Sequence, residues 1–356
     1  MSDKQLKNKK LLSICIPTYN RDEYLLNLLK ILANEAQSVD KYTNDFEICI
    51  SDNNSTDCTQ DIVRSFESLL PIYSKKNKDN IGAGMNYLEV VKMSTGEYVW
   101  VIGDDDKIIE GSLLYILDLI NKTKYDIYHV KVLLNSIDGN SLYFNWIDDE
   151  RVLSKNEYDA FIKRDCLYGT GFIGSNIFKR NNICLEKIGA LVKKTYWPQH
   201  FLLLQQKSLV KNAYITKPLL MQGIDGISLY WKLENWLIVK FDKVRIVDQL
   251  YHNGIVEGNI ANYLVYKSLF SSKELKDILL ALMVNNSNLP MFIEEMRVHL
   301  LNHTKYRKII RFKLLLVSLL ASWVFSPFIR LLSIYYQDLI MENRIEFKEN
   351  EGFSRK

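Results

Sequence analysis

The run Tyr98-Val99-Trp100-Val101-Ile102 is uncharged and wholly aromatic or β-branched, and it leads directly into Gly103-Asp104-Asp105-Asp106. Such a run reads as a buried strand. Gly103 lets the backbone turn sharply after it. The acids therefore arrive at the carboxyl end of a core strand, where open α/β sheets bind their ligands. Adjacent carboxylates repel one another and are costly there unless a cation joins them. Hard oxygen ligands of this kind suit Mg²⁺ or Mn²⁺, ions that usually bridge to a substrate phosphate. Taken alone, the same residues also read as a solvated acidic loop.

The chain around this run supplies the rest of an α/β sheet. Leu11-Leu12-Ser13-Ile14-Cys15-Ile16 is a strand ended by Pro17, and Asp22 can cap a helix whose Leu25, Leu28, Leu29 and Leu32 recur at helical spacing. Phe46 to Ile50 is a second strand, and Ser51-Asp52-Asn53-Asn54-Ser55 breaks the chain after it. Asp57 opens a helix through Ile62, Phe66 and Leu69, and Pro71 to Ser74 is a third strand. Gly82 to Met93 is a further helix before the strand at Tyr98. Strands and helices alternating at this spacing imply a mostly parallel sheet wrapped by helices. Further on, Tyr125 to Ser136 and Leu142 to Trp146 read as strands. Ser154-Lys155-Asn156-Glu157 is a capping box, and Gly169 to Ser175 is loop or turn.

After about residue 225 the pattern is helical almost throughout, which sets the expected domains at 1–225 and 226–356. Leu314 to Ile329 is nearly all apolar but, at about sixteen residues, falls below the roughly 20 needed to span a bilayer. His303 to Lys313 before it carries five Lys/Arg. A basic stretch joined to an apolar helix suits a segment lying on an anionic membrane surface, and a buried C-terminal helix is the other reading. The net charge of +4 is too small to point to nucleic acid. Five scattered cysteines without a CxxC pair indicate neither a zinc site nor a disulfide framework. With a polar, lysine-rich start and no leader pattern in Leu11 to Pro17, the expected location is cytoplasmic, peripheral on the inner face of the membrane.

Four loops exit at one sheet edge: Pro17 to Arg21, Ser51 to Ser55, Asn77 to Gly84, and Gly103 to Asp106. Tyr19 offers a ring for stacking on a base, and Asp52 an acceptor. Gly82 and Gly84 allow close approach at a helix start that favours phosphate. With Ile16-Pro17-Thr18-Tyr19-Asn20-Arg21, Ile50-Ser51-Asp52-Asn53-Asn54-Ser55-Thr56-Asp57, Asn80-Ile81-Gly82 with Asn86, and Gly103-Asp104-Asp105-Asp106, the chain resembles the family 2 glycosyltransferases of the GT-A fold over roughly residues 10 to 120. The Gly-Asp-Asp-Asp form and the helical, basic C-terminal part are similar to a branch of bacterial O-antigen and capsule enzymes that includes the abequosyltransferases.

That resemblance implies metal-dependent, inverting transfer of a sugar from a nucleotide diphosphate sugar to an acceptor hydroxyl. Carried over residue by residue, it puts Pro17, Thr18 and Tyr19 around the nucleoside and Asp52 at the base. Asn80 and Gly82 lie near the nucleotide, Asp104 near the ribose, and Asp105 or Asp106 on Mn²⁺ or Mg²⁺. Many relatives have an acid where Gly103 stands, and the arginine that often precedes the residue matching Asn86 is Met85 here. Inversion needs a general base near the acceptor. Relatives usually place a carboxylate where this chain has Thr195 to Leu202, which holds none. His200 is the candidate there, and Asp225 is the second. Trp197 and Trp231 could stack on sugar rings. The basic and apolar C-terminal stretch points to a lipid-linked saccharide acceptor. A nucleotidyltransferase is the alternative enzyme, but the first loop lacks a glycine-rich, basic sequence. A non-catalytic nucleotide- or carbohydrate-binding protein is the alternative of another class.

Overall fold

The structure is a computed structural model, and it describes residues 10–135, 141–143, 150–165, 171–188, 192, 195, 197–206, 209–222 and scattered positions of 242–261. The chain divides into two compact units, the first built on Met1–Ile224 and the second on Asp225–Glu351. Asp225, Trp231, Gly169, Thr170 and the whole basic and apolar stretch 303–329 lie outside the described residues.

The first unit is built on a ten-stranded sheet. In chain order its elements begin β1 (Leu12–Thr18), α1 (Asp22–Gln37), β2 (Phe46–Asp52), α2 (Thr59–Phe66), β3 (Ile72–Lys76), α3 (Ala83–Met93) and β4 (Tyr98–Val101). They continue as β5 (Lys107–Ile108), α4 (Ser112–Thr123), β6 (Ile127–Asn135), β7 (Ser141–Tyr143), β8 (Arg151–Ser154) and α5 (Lys155–Asp165). The last are β9 (Asn176–Lys179), α6 (Leu185–Ile188), α7 (Pro198–Gln206) and β10 (Asn212–Gln222). The order across the sheet is β3-β2-β1-β4-β9-β6-β10-β5. β3, β2, β1 and β4 are parallel, so their carboxyl ends share one edge. β9 runs antiparallel between β4 and β6, whereas β10 is parallel to β6. The sheet is thus mixed in its second half.

Alternation along the strands sorts the two faces. Ile14, Ile16, Ile48, Ile50, Trp100, Tyr128 and Val130 pack with Leu25, Leu28, Leu29 and Leu32 of α1 and Leu113, Ile116 and Ile120 of α4. α3 contacts β1, β2 and β4. Trp100 is completely buried and its indole N–H donates to the Gly174 carbonyl at 2.8 Å. Removing a buried indole of this kind costs about 4 kcal/mol.

The apolar stripe of α1 continues into a buried carboxylate, Glu35, whose oxygens accept from Gly111 N–H at 2.8 Å and Leu113 N–H at 2.9 Å. These N–H groups begin α4, which has no local side-chain cap.

Several local expectations shift. β1 runs through Pro17 to Thr18, since its backbone still pairs with Ser51 and Asp52. Asp22 is the first residue of α1, with Arg21 in the cap position. α2 opens at Thr59, although the Asp57 carboxylate accepts from Thr59 N–H at 3.1 Å. It ends at Phe66, which leaves Leu69 65% exposed and off the buried stripe. The capping box forms, with Glu157 Oε2 accepting from Ser154 N–H at 2.9 Å and from its hydroxyl at 2.7 Å. The described cysteines Cys15, Cys49, Cys58 and Cys184 are free thiols. Among the described residues, no helix is long and apolar enough to cross a membrane.

Candidate active site

Because β1 and β2 are parallel and in register, Thr18 and Asp52 stand side by side where these strands end. The Thr18 hydroxyl donates to Asp104 Oδ2 at 2.7 Å, which ties the end of β1 to the acidic turn after β4. Tyr19 follows with 43% exposure, its ring open to a planar ligand. Asn20 takes a positive φ of 50°. It fastens the first loop to the second: its N–H donates to Ser55 Oγ at 2.8 Å, and its side-chain oxygen accepts from Thr56 N–H at 2.7 Å.

Asp52 is buried, with Ser55 N–H on Oδ1 at 2.8 Å and Gln60 Nε2 on Oδ2 at 2.7 Å. A base donor would therefore meet a carboxylate already held in place on both oxygens. Beside it lies an amide knot. Asn86 accepts from Ser51 Oγ at 2.7 Å and from Asn77 Nδ2 at 3.0 Å, and donates to the carbonyls of Ser51 at 2.9 Å and Thr18 at 3.3 Å. Asn53 donates to Asn80 Oδ1 at 2.7 Å and accepts from Ile81 N–H at 2.9 Å. Gly82 N–H also donates to Asn80 Oδ1, at 2.9 Å. Gly82 has φ of 84°, a conformation that favours glycine, and it starts α3 at this point. Pro17, Thr18, Tyr19, Asp52, Asn80 and Gly82 are thus joined along one edge.

The acidic turn gives its carboxylates different surroundings. Asp106 is folded back: its Oδ2 accepts from Gly103 N–H at 2.9 Å, and it is 3% exposed. Asp104 is buried beneath Thr18 and Arg21. Burial pushes its carboxyl up to about 7, against the downward pull of Arg21, and the neighbouring Asp105 adds to the rise. Asp105 keeps 17% side-chain exposure. Arg21 Nε lies 2.9 Å from Asp104 Oδ1, and Nη2 lies 2.6 Å from Asp105 Oδ2. A side chain added at Gly103 would place its Cβ 2.8 Å from Asp105 Oδ1 and 3.0 Å from Asp106 Oδ2, so the turn is built around a bare glycine. Among the described residues no group of three or more acidic, His or Cys side chains converges as a closed metal cage. A carboxylate pair that already draws a guanidinium does fit an ion such as Mg²⁺, which takes one or two carboxylates and completes its shell with phosphate and water.

His200 lies in the first turn of α7 with no exposure, its ring edge-on to Trp197 at 5.6 Å. Gln199 beside it donates to the Gly171 carbonyl at 2.6 Å. Gly174, in the same turn region, would place a Cβ 3.6 Å from Asp106 Oδ2. The start of α3 packs on the backbone before α7: a Cβ at Gly84 would lie 2.2 Å from the Val192 carbonyl oxygen. Arg21, Asn53 and Asn77 stand in the motif loops with no individual role assigned from sequence, and Gln60 lies outside those loops. Their signal was present for the asparagines, which cluster in the motif loops, but Arg21 reveals its part only once β1 and β4 are neighbours.

Residues 13–179 match the family described as Glycosyl transferase family 2. The abequosyltransferase RfbV of Salmonella typhimurium is 32% identical over 229 residues, which cover 59% of this chain and 66% of that protein, just under two thirds. The validoxylamine A glucosyltransferase of Streptomyces hygroscopicus subsp. limoneus is 48% identical over 62 residues, 13% of its length. The crystal structure of Staphylococcus aureus TarS 1–349 superposes with a TM-score of 0.62 at 17% identity, covering 85% of this chain and 86% of that one. The same protein is solved with UDP and with UDP-GlcNAc, at TM-scores of 0.59 and 0.57. The mannosyltransferase PcManGT from Pyrobaculum calidifontis, in complex with GDP-Man and Mn²⁺, superposes with a TM-score of 0.52 at 13% identity over 90% of this chain and 89% of that one. Residues 13–179, just under half of the chain, thus match Glycosyl transferase family 2 as a domain, and the sheet has the GT-A fold of these solved structures.

Proposed function

We propose that this protein transfers a sugar from a nucleoside diphosphate to a hydroxyl of a saccharide acceptor in bacterial surface polysaccharide synthesis, with inversion and with a divalent metal. The single observation that carries the reading is the Asp104–Asp105 pair with a cation against it, set where the loops of four parallel strands meet. Asp105, the more exposed acid, is the proposed metal ligand, and Asp106 closes the turn. The likeness to solved proteins holding UDP-GlcNAc or GDP-Man with Mn²⁺ supports a nucleotide-sugar donor.

When bound, the metal supplies positive charge for the departing diphosphate. The chain's own residues do the remainder. Tyr19 covers the base, Asp52 accepts from it, and Asn80 and Gly82 hold the loop at the start of α3 near the phosphates. Thr18 fixes Asp104 for the ribose. His200 and Asp225 are the proposed bases for the acceptor hydroxyl. His200→Gln and Asp225→Asn separate them, because the base variant loses kcat while keeping donor affinity. The acceptor is proposed to be a lipid-linked saccharide at the inner membrane face, on the strength of the basic and apolar stretch 303–329.

The test is a thermal-shift screen of UDP, GDP, CDP and dTDP with and without Mn²⁺, followed by turnover with the matching sugar nucleotides. One nucleotide should stabilise the protein only with metal. A protein that no nucleoside diphosphate stabilises, and that turns over none of the sugar nucleotides, would contradict the proposal.

A further inference from the structure

The guanidinium of Arg21 lies against the first two carboxylates of the acidic turn. It is held at the junction of β1 and α1, where Arg21 has φ of −143° and ψ of 46° as the cap residue of α1. Its plane rests on the Tyr24 ring, 4.4 Å from the centroid. Nε and Nη2 meet Asp104 Oδ1 and Asp105 Oδ2 at 2.9 and 2.6 Å, so one guanidinium spans two carboxylates. The contact sets a positive charge against the same carboxylates that a divalent cation would use. The Arg21 side chain is 24% exposed overall, although its Nε and Nη2 are buried against the acids.

Asp105 presents its two oxygens unequally. Oδ1 is turned in toward Gly103, 2.8 Å from where a Cβ would stand, and Oδ2 is covered by Arg21 Nη2. A divalent ion approaches a carboxylate oxygen to about 2.1 Å. It cannot share Oδ2 with a guanidinium nitrogen at 2.6 Å without severe repulsion between the two cations. On the metal-dependent reading above, we infer that Arg21 is the resident cation of this site: it holds Asp104 and Asp105 in the ligand-free chain and competes with the divalent metal for Asp105.

The exchange has a direction. The nucleoside diphosphate brings further ligands for the metal, and a diphosphate is also a bidentate partner for a released guanidinium. The metal alone must displace Arg21 with no destination for it, whereas metal and diphosphate together provide one. Arg21 thereby makes metal binding depend on the donor.

The experiment is a titration of the full chain with Mn²⁺ alone, with free Mn²⁺ followed by electron paramagnetic resonance, and repeated with UDP, GDP, CDP and dTDP present. Arg21→Gln removes the competing charge and should bind Mn²⁺ alone on the order of tenfold more tightly than the unaltered protein. Arg21→Lys keeps the charge but cannot bridge both carboxylates, and it should fall between them. It carries the test should the Gln variant not fold. Asp105→Asn in the Arg21→Gln background should remove the gain. Equal or weaker Mn²⁺ binding by the Arg21 variants overturns the inference, and the donor reading survives if the unaltered protein still takes up Mn²⁺ with a nucleoside diphosphate. Absence of Mn²⁺ binding in every variant, with and without nucleotide, overturns both.

Discussion

Asn86 holds Ser51 by both ends, accepting from its hydroxyl at 2.7 Å and donating to its carbonyl at 2.9 Å. The same side chain reaches the Thr18 carbonyl at 3.3 Å, so one buried amide on α3 fixes the last residues of two neighbouring strands. The geometry gives it work inside the protein.

Replacing Asn86 with Ala leaves buried donors and acceptors on Ser51, Asn77 and Thr18 without partners. The expected loss is about 3 kcal/mol of unfolding free energy in urea. Asn86→Asp should be no better, since a carboxylate cannot donate to the two carbonyls. A loss below about 0.5 kcal/mol, as for an ordinary surface change, would show that the knot does not carry this load.

Gly103→Ala tests the acidic turn apart from the fold. The added methyl meets side-chain ends, Asp105 Oδ1 at 2.8 Å and Asp106 Oδ2 at 3.0 Å, which can swing aside. The melting temperature should therefore change little, while metal-dependent nucleotide affinity drops about tenfold, roughly 1.4 kcal/mol. Gly103→Asp, which restores the acid of many relatives, should behave no better, because it adds the same Cβ. Donor affinity unchanged in the Ala variant would sink the idea that a bare glycine sets the carboxylates.

Gly84→Ala is expected to act through backbone. Its Cβ would lie 2.2 Å from the Val192 carbonyl oxygen and 3.0 Å from that of Thr195. Overpacking of this kind costs about 2 kcal/mol. It should also shift the segment that leads to His200, lowering kcat more than donor affinity. Stability equal to that of the unaltered protein in thermal unfolding would count against this packing.

His129 gives stability a pH dependence. It is buried on β6, with Nδ1 2.8 Å from Asn176 Oδ1 and its ring stacked on Tyr158 at 5.7 Å. Burial lowers its pKa from 6.5 to about 4, with the Asn176 hydrogen bond opposing part of the shift. Between those values the unfolded chain binds the proton and the folded chain does not, so stability rises with pH. The contribution is complete above pH 6.5 and is lost as pH falls toward about 4, amounting to about 3 kcal/mol at most. Asp104, its carboxyl pushed up to about 7, acts in the opposite direction over this range, so the test is the comparison of the unaltered protein with His129→Phe by urea unfolding at pH 4.5 and 7.5: the variant should lack the gain with pH that His129 supplies.

The parallel half of the sheet was legible because its signals are local: each strand is a short apolar run, and each ends in a loop rich in Gly, Asn, Asp or Pro. The second half was less so. Asn176 to Lys179 is a four-residue strand whose identity comes from pairing with β4 on one side and β6 on the other. Nothing in four residues announces two distant partners. The acidic turn stood out in the sequence by its composition, but the sorting of its acids did not. That sorting depends on Thr18 and Arg21, which reach the turn only through the β1–β4 pairing.

The carboxylate of Glu35 begins a helix 76 residues away, through the N–H of Gly111. The start of α4 is therefore written in the rotational setting of α1. Deleting one residue from α1 ahead of Glu35 turns that side chain by about 100° around its helix axis and strips α4 of its cap. A deletion of the same size in a connecting loop need not disturb that setting. For this pair of helices, tolerance to length change should follow the phase of α1 rather than closeness in the chain.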